Sequence, residues 1–439
     1  MLNEGPDKTG NRQGWTAVII LMIAYTFSFL DRNILTFLVE PMKADMGLTD
    51  TEVSLLLGAS FGLFYSIMGV PLGRLADLHS RKKIIALGVG LWSLMTALCG
   101  VTKSYIQFFF ARMGVGVSEA TLSPAAYSLL SDYFPKEKLA TAISVYSLGI
   151  YLGSALAALI GGYAVEHLAD ASAVILPLFG EIHAWQLIFI FIGLPGLLVA
   201  LLVMAIKEPV RKGVLTGATI PLSDVWDYLR ENGRKFFLLC GGFAFFYLAI
   251  YANSSWLPTY LMRIHGMAPG TVGEAAAVGF GILPAIGVLA GGWFADRLTR
   301  RGVVDAKIRW SFWVVLLLIP CYAIFPFMPD GTTVLYALIP FCLLLSSPVA
   351  AAAAAVQEIM PNRMRGVASS ILILSSNLLG LTIGPTCVAL LNDYVFVDEM
   401  ALGWSLLIIS LIAFSIAALF FFIALRQDSH REDDSSFSS

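Results

Sequence analysis

Long apolar runs alternate with short polar joints along the whole chain. A bilayer-spanning helix needs about 20 apolar residues, and backbone that is not helical cannot face lipid. A transmembrane β-barrel would instead show short segments of alternating polarity. The pattern therefore predicts an all-α membrane protein with twelve transmembrane helices, numbered spans 1 to 12: 15–38, 52–73, 83–101, 104–130, 139–163, 185–206, 235–262, 271–295, 309–328, 333–357, 366–391 and 402–425.

Basic residues collect in every second joint. Of the 28 Lys and Arg, 23 lie near the two termini or in joints that follow even-numbered spans. Three lie in the other joints, namely Lys43, Lys103 and Arg263. Because Lys and Arg favour the cytoplasmic side of a membrane, this bias predicts two cytoplasmic termini. We expect the protein to lie in the inner or plasma membrane.

The longest polar joint separates six spans from six. We therefore predict five parts along the chain: a cytoplasmic N-terminus at 1–14, a six-helix bundle at 15–206, a cytoplasmic linker at 207–234, a second six-helix bundle at 235–425, and a cytoplasmic tail at 426–439.

Composition excludes several classes of protein. The chain has 439 residues, of which 58% are hydrophobic and 13% charged, against about 25% charged in soluble domains. Twelve spans leave no room for a separate soluble catalytic domain, and a net charge of -2 gives no reason to expect nucleic acid as a partner. The sequence has no metal-ligand spacing and no nucleotide-binding glycine loop. We therefore expect no enzyme activity, no catalytic residues, no metal site and no cofactor.

The two halves of the chain repeat a pattern. Gly73-Arg-Leu-Ala-Asp77-Leu-His-Ser-Arg81-Lys82-Lys83 follows span 2, and Gly292-Trp-Phe-Ala-Asp296-Arg-Leu-Thr-Arg300-Arg301 follows span 8. Glycine pairs four residues apart recur in spans 5 and 11, at Gly149 and Gly153 and at Gly380 and Gly384. Repeats in the same order indicate a duplicated six-helix unit.

The joint after span 2 resembles the signature of the major facilitator superfamily, Gly-x-x-x-Asp-x-x-x-Arg-Lys. One departure is Ser80, where the pattern usually has Gly. The resemblance covers nearly the whole chain. It implies two pseudo-symmetric bundles that rock about a binding site at the membrane midplane, which gives alternating access. We expect such a chain to work as a monomer among membrane lipids.

Three stretches resemble the spinster subfamily, the lysolipid and sphingosine-phosphate transporters and their bacterial relatives. They are Phe29-Leu-Asp31-Arg32-Asn33 in span 1, Arg112-Met-Gly114-Val-Gly116-Val-Ser-Glu119-Ala120 in span 4, and Ala184-Trp185 with Gly193-Leu-Pro195-Gly196 in span 6. The Asp-Arg pair and the Arg-x6-Glu pair are also similar to proton-coupled symporters of sugar acids. Both subfamilies therefore remain open.

Four charges lie inside the spans of the first half: Asp31, Arg32, Arg112 and Glu119. Each costs about 2.5–3.5 kcal/mol to insert, so such residues normally face the bundle interior or water. A rise of about 1.5 Å per residue puts Asp31 and Arg112 at similar depth, with Glu119 two turns along nearly the same helix face. We predict that the four meet in a wet crevice between the bundles.

A carboxylate whose arginine partner moves away can take up a proton near neutral pH, which a proton-driven cycle needs. We predict Glu119 as the first proton carrier and Asp31 as the second, and the resemblance implies the same two. The alternative is a neutral salt-bridged set that joins spans 1 and 4.

Arg32 and Arg112 are candidate substrate ligands, since arginine binds phosphate and carboxylate through two parallel hydrogen bonds. In the second half the candidates are Tyr247, Tyr251 and Asn253 in span 7 and Asn377 in span 11; ordinary helix packing is the alternative for each. A charged half facing an aromatic half suits an amphipathic anion.

A gate is predicted at the joint after span 2. Asp77 would cap the cytoplasmic end of span 11, and Arg81 and Lys82 would pair with Glu137 at the end of span 4, with Gly73 at the start of the motif. The alternative is a simple positive-inside anchor. Together these features predict a proton-coupled transporter of an amphipathic anion such as a lysolipid or sphingoid phosphate, or alternatively a symporter of small carboxylates such as sugar acids.

Overall fold

Most of the chain is helical in the computed structural model, which describes residues 8–168, 174–177, 180–211, 222–361 and 364–427. Eleven helices among these residues are long and apolar enough to cross a membrane. The remaining predicted span, 104–130, is divided into Tyr105–Glu119 and Leu122–Tyr133 by a turn at Ala120 and Thr121. The predicted all-α fold with twelve spans is confirmed.

The helices fall into two compact units. The first comprises Met1–Leu215 together with Ala268–Ala277, and the second comprises Thr216–Met267 with Val278–Ser439. The segment Ala268–Ala277, which includes the start of predicted span 8, thus groups with the first unit. The helices of the first unit are α1 Lys8–Ile34, α2 Val39–Met46, α3 Asp50–Leu57, α4 Ala59–Leu78, α5 Arg81–Cys99, α6 Tyr105–Glu119, α7 Leu122–Tyr133, α8 Lys136–Leu168, α9 Ala184–Met204 and α12 Pro269–Ala277, with a 3-10 turn at Leu35–Phe37.

The second unit contains α-helices and irregular helical segments. Its α-helices are α10 Leu222–Asn232, α11 Arg234–Arg263, α13 Leu283–Arg300, α14 Ala306–Ala323, α15 Gly331–Ser346, α16 Pro348–Ile359, α17 Arg365–Ser376, α18 Gly384–Leu390 and α19 Leu402–Arg426. Three segments are π-helical, Val278–Ile282, Asn377–Ile383 and Leu391–Phe396. Two are short 3-10 helices, Phe325–Phe327 and Glu399–Ala401.

A short antiparallel hairpin between spans 5 and 6 was not predicted. Its strands are β1 Val174–Leu176 and β2 Gly180–Ile182, with Ile175 opposite Glu181. The β-branched and apolar residues of β1 favour a strand, but two strands of three residues are too short to show a periodic pattern.

The repeated glycine pairs bring equivalent helices together in the two units. In the first unit a Cβ on Gly149 would lie 2.7 Å from the Met22 carbonyl oxygen, and one on Gly153 would lie 2.3 Å from that of Thr26. In the second unit a Cβ on Gly384 would lie 2.8 Å from the Leu248 carbonyl oxygen. Span 5 therefore packs closely on span 1, and span 11 packs closely on span 7, as a duplicated unit requires.

Within the first unit, α12 packs against the end of α8. A Cβ on Gly162 would lie 2.8 Å from the Gly273 Cα, so the two backbones touch. The Tyr163 hydroxyl donates to Glu274 Oε1 at 2.7 Å, and the Gly270 amide donates to Glu166 Oε2 at 2.6 Å. This contact combines small residues, which allow close approach, with polar links at its edge.

Candidate functional site

Asp31 on α1 and Glu119 on α6 are both buried, and each faces an arginine on the other of these two helices. Arg112 Nη1 on α6 donates to Asp31 Oδ1 on α1 at 3.2 Å, and these side chains are 0% and 3% exposed. Arg32 Nη2 on α1 donates to Glu119 Oε2 on α6 at 2.9 Å, with exposures of 9% and 0%. The structure therefore brings all four predicted charges together as two crossed ion pairs between spans 1 and 4.

Two hydroxyl groups complete these pairs. Thr96 on α5 donates to Asp31 Oδ2, and Ser28 donates to Glu119 Oε2 at 2.7 Å. Sequence reasoning missed both. Ser28 lies four residues before Arg32 and so shares its helix face, a spacing that could have identified it. Thr96 comes from a third helix, and no local pattern points to it.

Aromatic rings surround the guanidinium of Arg32. Its Cζ lies 4.7 Å from the ring centre of Phe29, 4.4 Å from that of Phe61 and 4.9 Å from that of Tyr65. The ring centre of Phe61 also lies 5.6 Å from the Cζ of Arg112, so this ring is close to both arginines. Ring faces attract cations in a dry site, which holds both guanidinium groups in place while leaving their hydrogen-bond donors for acids or anions.

Some polar atoms of the cluster have no hydrogen-bond partner among the described residues. They are Glu119 Oε1 and, on Arg112, Nε and Nη2. A fully satisfied salt-bridged set would have none, because each buried unpaired polar group costs about 1–3 kcal/mol. Glu119 in particular has one carboxylate oxygen without a hydrogen-bond partner among the described residues, while the other accepts from Arg32 and Ser28.

The candidate residues of the second unit differ in what they contact. Tyr247 and Tyr251 lie on α11 with ring centres 6.4 Å apart, and both lie beside Gly380 in the π-helical part of span 11. Asn377 begins that π-helical segment and is half-buried. Asn253 is buried, and its Nδ2 donates to the Ala249 carbonyl at 2.7 Å and to Ser410 Oγ at 2.8 Å. Its amide therefore links span 7 to span 12, and its predicted role in substrate binding stays a prediction.

The motif after span 2 forms a buried cluster around Arg81, which is 1% exposed. Arg81 Nη1 donates to Asp132 and to the Ser128 carbonyl oxygen at 3.0 Å. Its backbone amide donates to Glu208 Oε1 at 2.8 Å, and its Nε lies 3.4 Å from the same oxygen. Arg81 thus joins α5, α7 and the start of the 207–234 joint.

The rest of the predicted gate is described in part. Lys82 Nζ donates to the Ile206 carbonyl at 3.1 Å. A Cβ on Gly73 would meet Pro124 at 3.6 Å, an ordinary contact. The side chains of Asp77 and Glu137 lie outside the described part of the chain, so their predicted contacts stay predictions. Sequence reasoning missed Asp132 and Glu208 as partners of Arg81.

Glu208 lies outside the spans, and its carboxyl group has a shifted pKa. Burial on its own raises the pKa of this carboxyl, but hydrogen bonds from Ser80 and from the backbone and side chain of Arg81 outweigh burial and hold the pKa below its usual value. Its carboxylate therefore stabilises the folded joint.

Twelve helical spans, duplicated glycine contacts and buried acid–arginine pairs together define a membrane transporter. Residues 21–385 match the family model of the Major Facilitator Superfamily, and the chain belongs to this family. It is an integral, multi-pass membrane protein and a transporter rather than an enzyme. The predicted membership of the superfamily, with a relation to spinster proteins, is confirmed.

Relatives span both predicted subfamilies. The chain is similar to the crystal structure of a bacterial homolog of the human lysosomal transporter Spinster in an inward-facing, unoccupied conformation, with a TM-score of 0.77 and 27% identity over 96% of this chain and 98% of that one. It is 28% identical over 427 residues to an MFS-type efflux pump of Mycolicibacterium smegmatis, covering 95% of this chain and 94% of the pump. It is 27% identical over 308 residues to a probable L-galactonate transporter of Escherichia coli, covering 67% and 64%.

Proposed function

We propose that the chain is a proton-coupled secondary transporter of an amphipathic organic anion, such as a lysolipid or sphingoid phosphate. The observation that carries this proposal is the Arg32–Glu119 pair. Arg32 is the more exposed of the two arginines of the cluster, and one acid oxygen holds its Nη2. An anionic headgroup and Glu119 would therefore compete for the same guanidinium.

This competition links proton binding to anion binding. When Glu119 takes a proton, its hold on Arg32 weakens and the guanidinium can bind a phosphate or carboxylate through two parallel hydrogen bonds. When the proton leaves, Glu119 recaptures Arg32 and the anion loses its partner. By linkage, each ligand raises the affinity for the other. The proton gradient then drives the cycle, and no cofactor is needed.

The rings around Arg32 favour an amphipathic ligand over a polyhydroxylated one. Phe29, Phe61 and Tyr65 in the first unit offer ring faces and, in Tyr65, one hydroxyl, and Tyr247 and Tyr251 lie on span 7 of the second. An apolar chain gains about 25 cal/mol for each Å² that such surfaces remove from water, whereas sugar hydroxyls need many polar partners. The similarity to a spinster homolog supports the same choice.

Symport of a small carboxylate such as a sugar acid is the second candidate. It is favoured by the similarity to a probable L-galactonate transporter, and it would use Arg32 and Glu119 in the same way. Arg112 takes part only indirectly in this scheme, because it is fully buried against Asp31.

The test is purified protein in liposomes with an imposed pH gradient, screened against a lysophospholipid, a sphingoid phosphate and L-galactonate. We expect gradient-driven transport of a lipid anion and none of galactonate; the reverse result would select the second candidate. Glu119→Gln should remove the dependence on the gradient, whereas the control Glu181→Gln, on β2, should keep it. Transport by Glu119→Gln with an unchanged pH profile would refute the proton role.

Arg32→Lys tests the anion contact separately. Lysine keeps the charge but lacks the planar fork, so the apparent KM should rise at least tenfold while the protein stays folded. An unchanged KM would show that Arg32 does not hold the substrate.

Topology and assembly complete the proposal. We infer that both termini are cytoplasmic in the inner or plasma membrane and that the protein works as a monomer. The distribution of basic residues supports the orientation.

A further inference from the structure

A cavity of about 410 Å³ lies at one end of the first unit, apart from the acid–arginine cluster. It is a half-open cleft bordered by α2, by the last turns of α8 and by the first turn of α9. Its volume is within the range of about 300–1,000 Å³ that is typical of small-molecule sites. Most of its wall is apolar and includes Pro41, Ala44, Ala164, Val165 and Ile188.

A single carboxylate forms the polar corner of this cavity. Asp45 Oδ2 accepts from Trp185 Nε1 at 2.9 Å, and its Oδ1 lies 3.0 Å from His183 Nε2. Trp185 is itself fixed, since it is 4% exposed and packs edge-on against Phe108 and Phe189. The carboxylate is therefore held by the Trp185 indole on α9 and lies beside the imidazole of His183, the residue before α9, while its side chain stays 21% exposed.

The arrangement selects a cation. Among the described residues that line the cavity, Asp45 alone carries a fixed charge, and it is negative. The indole N–H donates to Asp45 Oδ2, and His183 Nε2 lies 3.0 Å from Oδ1, yet a carboxylate has about four acceptor positions. The carboxylate of Asp45 can therefore accept further hydrogen bonds, and it does so next to an apolar wall. This combination matches a ligand with an ammonium group on a hydrocarbon body.

We propose that the cavity bounded by Asp45, His183 and Trp185 is a binding site for a primary amine with a small apolar body. The ammonium group donates to Asp45, and the hydrocarbon part packs on Ala44, Val165 and Ile188. None of these residues belongs to the acid–arginine cluster, so the site is separate from the one proposed for transport. The same chemistry is offered by a free amine and by an ethanolamine headgroup of a phospholipid.

Isothermal titration of the purified full chain in phosphatidylcholine nanodiscs at pH 7.5 tests this proposal. The probes are 2-phenylethylamine, the neutral 2-phenylethanol and the anionic phenylacetate, which share one body and differ in the head. We expect saturable binding of the amine, at least tenfold weaker binding of the alcohol and none of the acid. Equal binding of all three, or none of the amine at millimolar concentration, would overturn the proposal.

Variants locate the binding. Asp45→Asn should weaken amine binding at least tenfold, whereas Glu40→Gln, the same loss of charge on α2 outside the cavity lining, should leave it unchanged. Ala44→Leu fills the cavity without touching the charge and should also abolish binding, which keeps the proposal testable if Asp45→Asn fails to fold. Full binding by Ala44→Leu would contradict the site.

Lipid composition separates the two sources of the amine. If an ethanolamine headgroup occupies the cavity, discs of phosphatidylethanolamine should weaken 2-phenylethylamine binding relative to phosphatidylcholine discs. Equal affinity in both discs would support a free amine as the ligand.

Discussion

At the scale of single residues, the central feature is that Asp31 and Arg112 are buried together. Because removing one partner strands a buried charge, Asp31→Asn and Arg112→Met should each lower the free energy of unfolding by about 3–5 kcal/mol. The double variant removes both charges and should lose clearly less than the two single losses combined. Thermal unfolding of the purified protein measures all four members of this cycle; strictly additive losses would contradict the pairing.

The sequence predicted which charges cluster but not how they pair. Depth along a helix follows from residue number, so Asp31, Arg32, Arg112 and Glu119 could be placed at neighbouring levels. The crossed pairing depends on how spans 1 and 4 are rotated about their axes, which tertiary packing decides. The Thr96 hydroxyl on Asp31 comes from a third span, and no spacing within span 1 or span 4 encodes it.

Glu208 gives a second prediction, for pH dependence. The pKa of Glu208 lies below the usual 4.5 in the folded protein. Its contribution to stability is therefore complete above pH 4.5, and it is lost as the pH falls through the lower pKa of the folded state. Thermal stability of the wild type should therefore fall more steeply between about pH 5 and pH 3 than that of Glu208→Gln.

Ser80→Ala removes one donor to this carboxylate and serves as the graded comparison. Its stability should fall with a slope between those of the wild type and Glu208→Gln. Identical acid profiles for all three proteins would show that the Ser80–Arg81–Glu208 contact contributes nothing to folding.

At the scale of elements, close helix contact depends on Gly153. A Cβ there would lie 2.3 Å from the Thr26 carbonyl and 2.7 Å from the Phe29 Cβ, so α8 and α1 would have to separate. Gly153→Ala should cost about 1–3 kcal/mol of stability through overpacking. It should also slow transport, because Asp31 and Arg32 follow on the displaced helix.

Gly69→Ala is the matched control, because a Cβ at Gly69 meets nothing within 4 Å. Alanine is favoured over glycine inside a helix by about 0.5–1 kcal/mol, so this variant should unfold at the same temperature as the wild type or slightly higher. If the two variants behaved alike in thermal unfolding, the glycine contact would not be what holds α1 against α8.

Hydropathy predicted where the membrane spans lie, but it did not predict the turns and π-helical segments within them. Hydropathy reports whether a segment tolerates lipid, and this criterion is blind to the turn after Glu119 that divides span 4. The π-helical segment Asn377–Ile383 lies where Gly380 packs against Tyr247 and Tyr251 of another helix. Such a local change of helical pitch depends on a neighbour distant in sequence, so the sequence of span 11 alone does not predict it.

At the scale of the whole molecule, the distribution of positive charge sets the orientation in the membrane. Arg81 is buried and Lys82 binds backbone carbonyls, so both residues also stabilise the folded joint, whatever their effect on membrane orientation. Without those two, 21 basic residues near the termini and in the joints after even-numbered spans still stand against three in the other joints. The asymmetry in basic residues therefore remains when Arg81 and Lys82 are left out, and both termini should be cytoplasmic.

Two exposed lysines in successive joints test this orientation. In a Cys321→Ser background, which removes the exposed native thiol, Lys103→Cys should react with a membrane-impermeant maleimide added to intact cells. Lys83→Cys, also exposed but one span earlier, should react only after the membrane is permeabilised, and a green fluorescent protein fused to the C-terminus should fluoresce. Because twelve spans return the chain to the side on which it starts, labelling of Lys83→Cys from outside would place both termini, the Arg81 cluster and the 207–234 joint on the outer face.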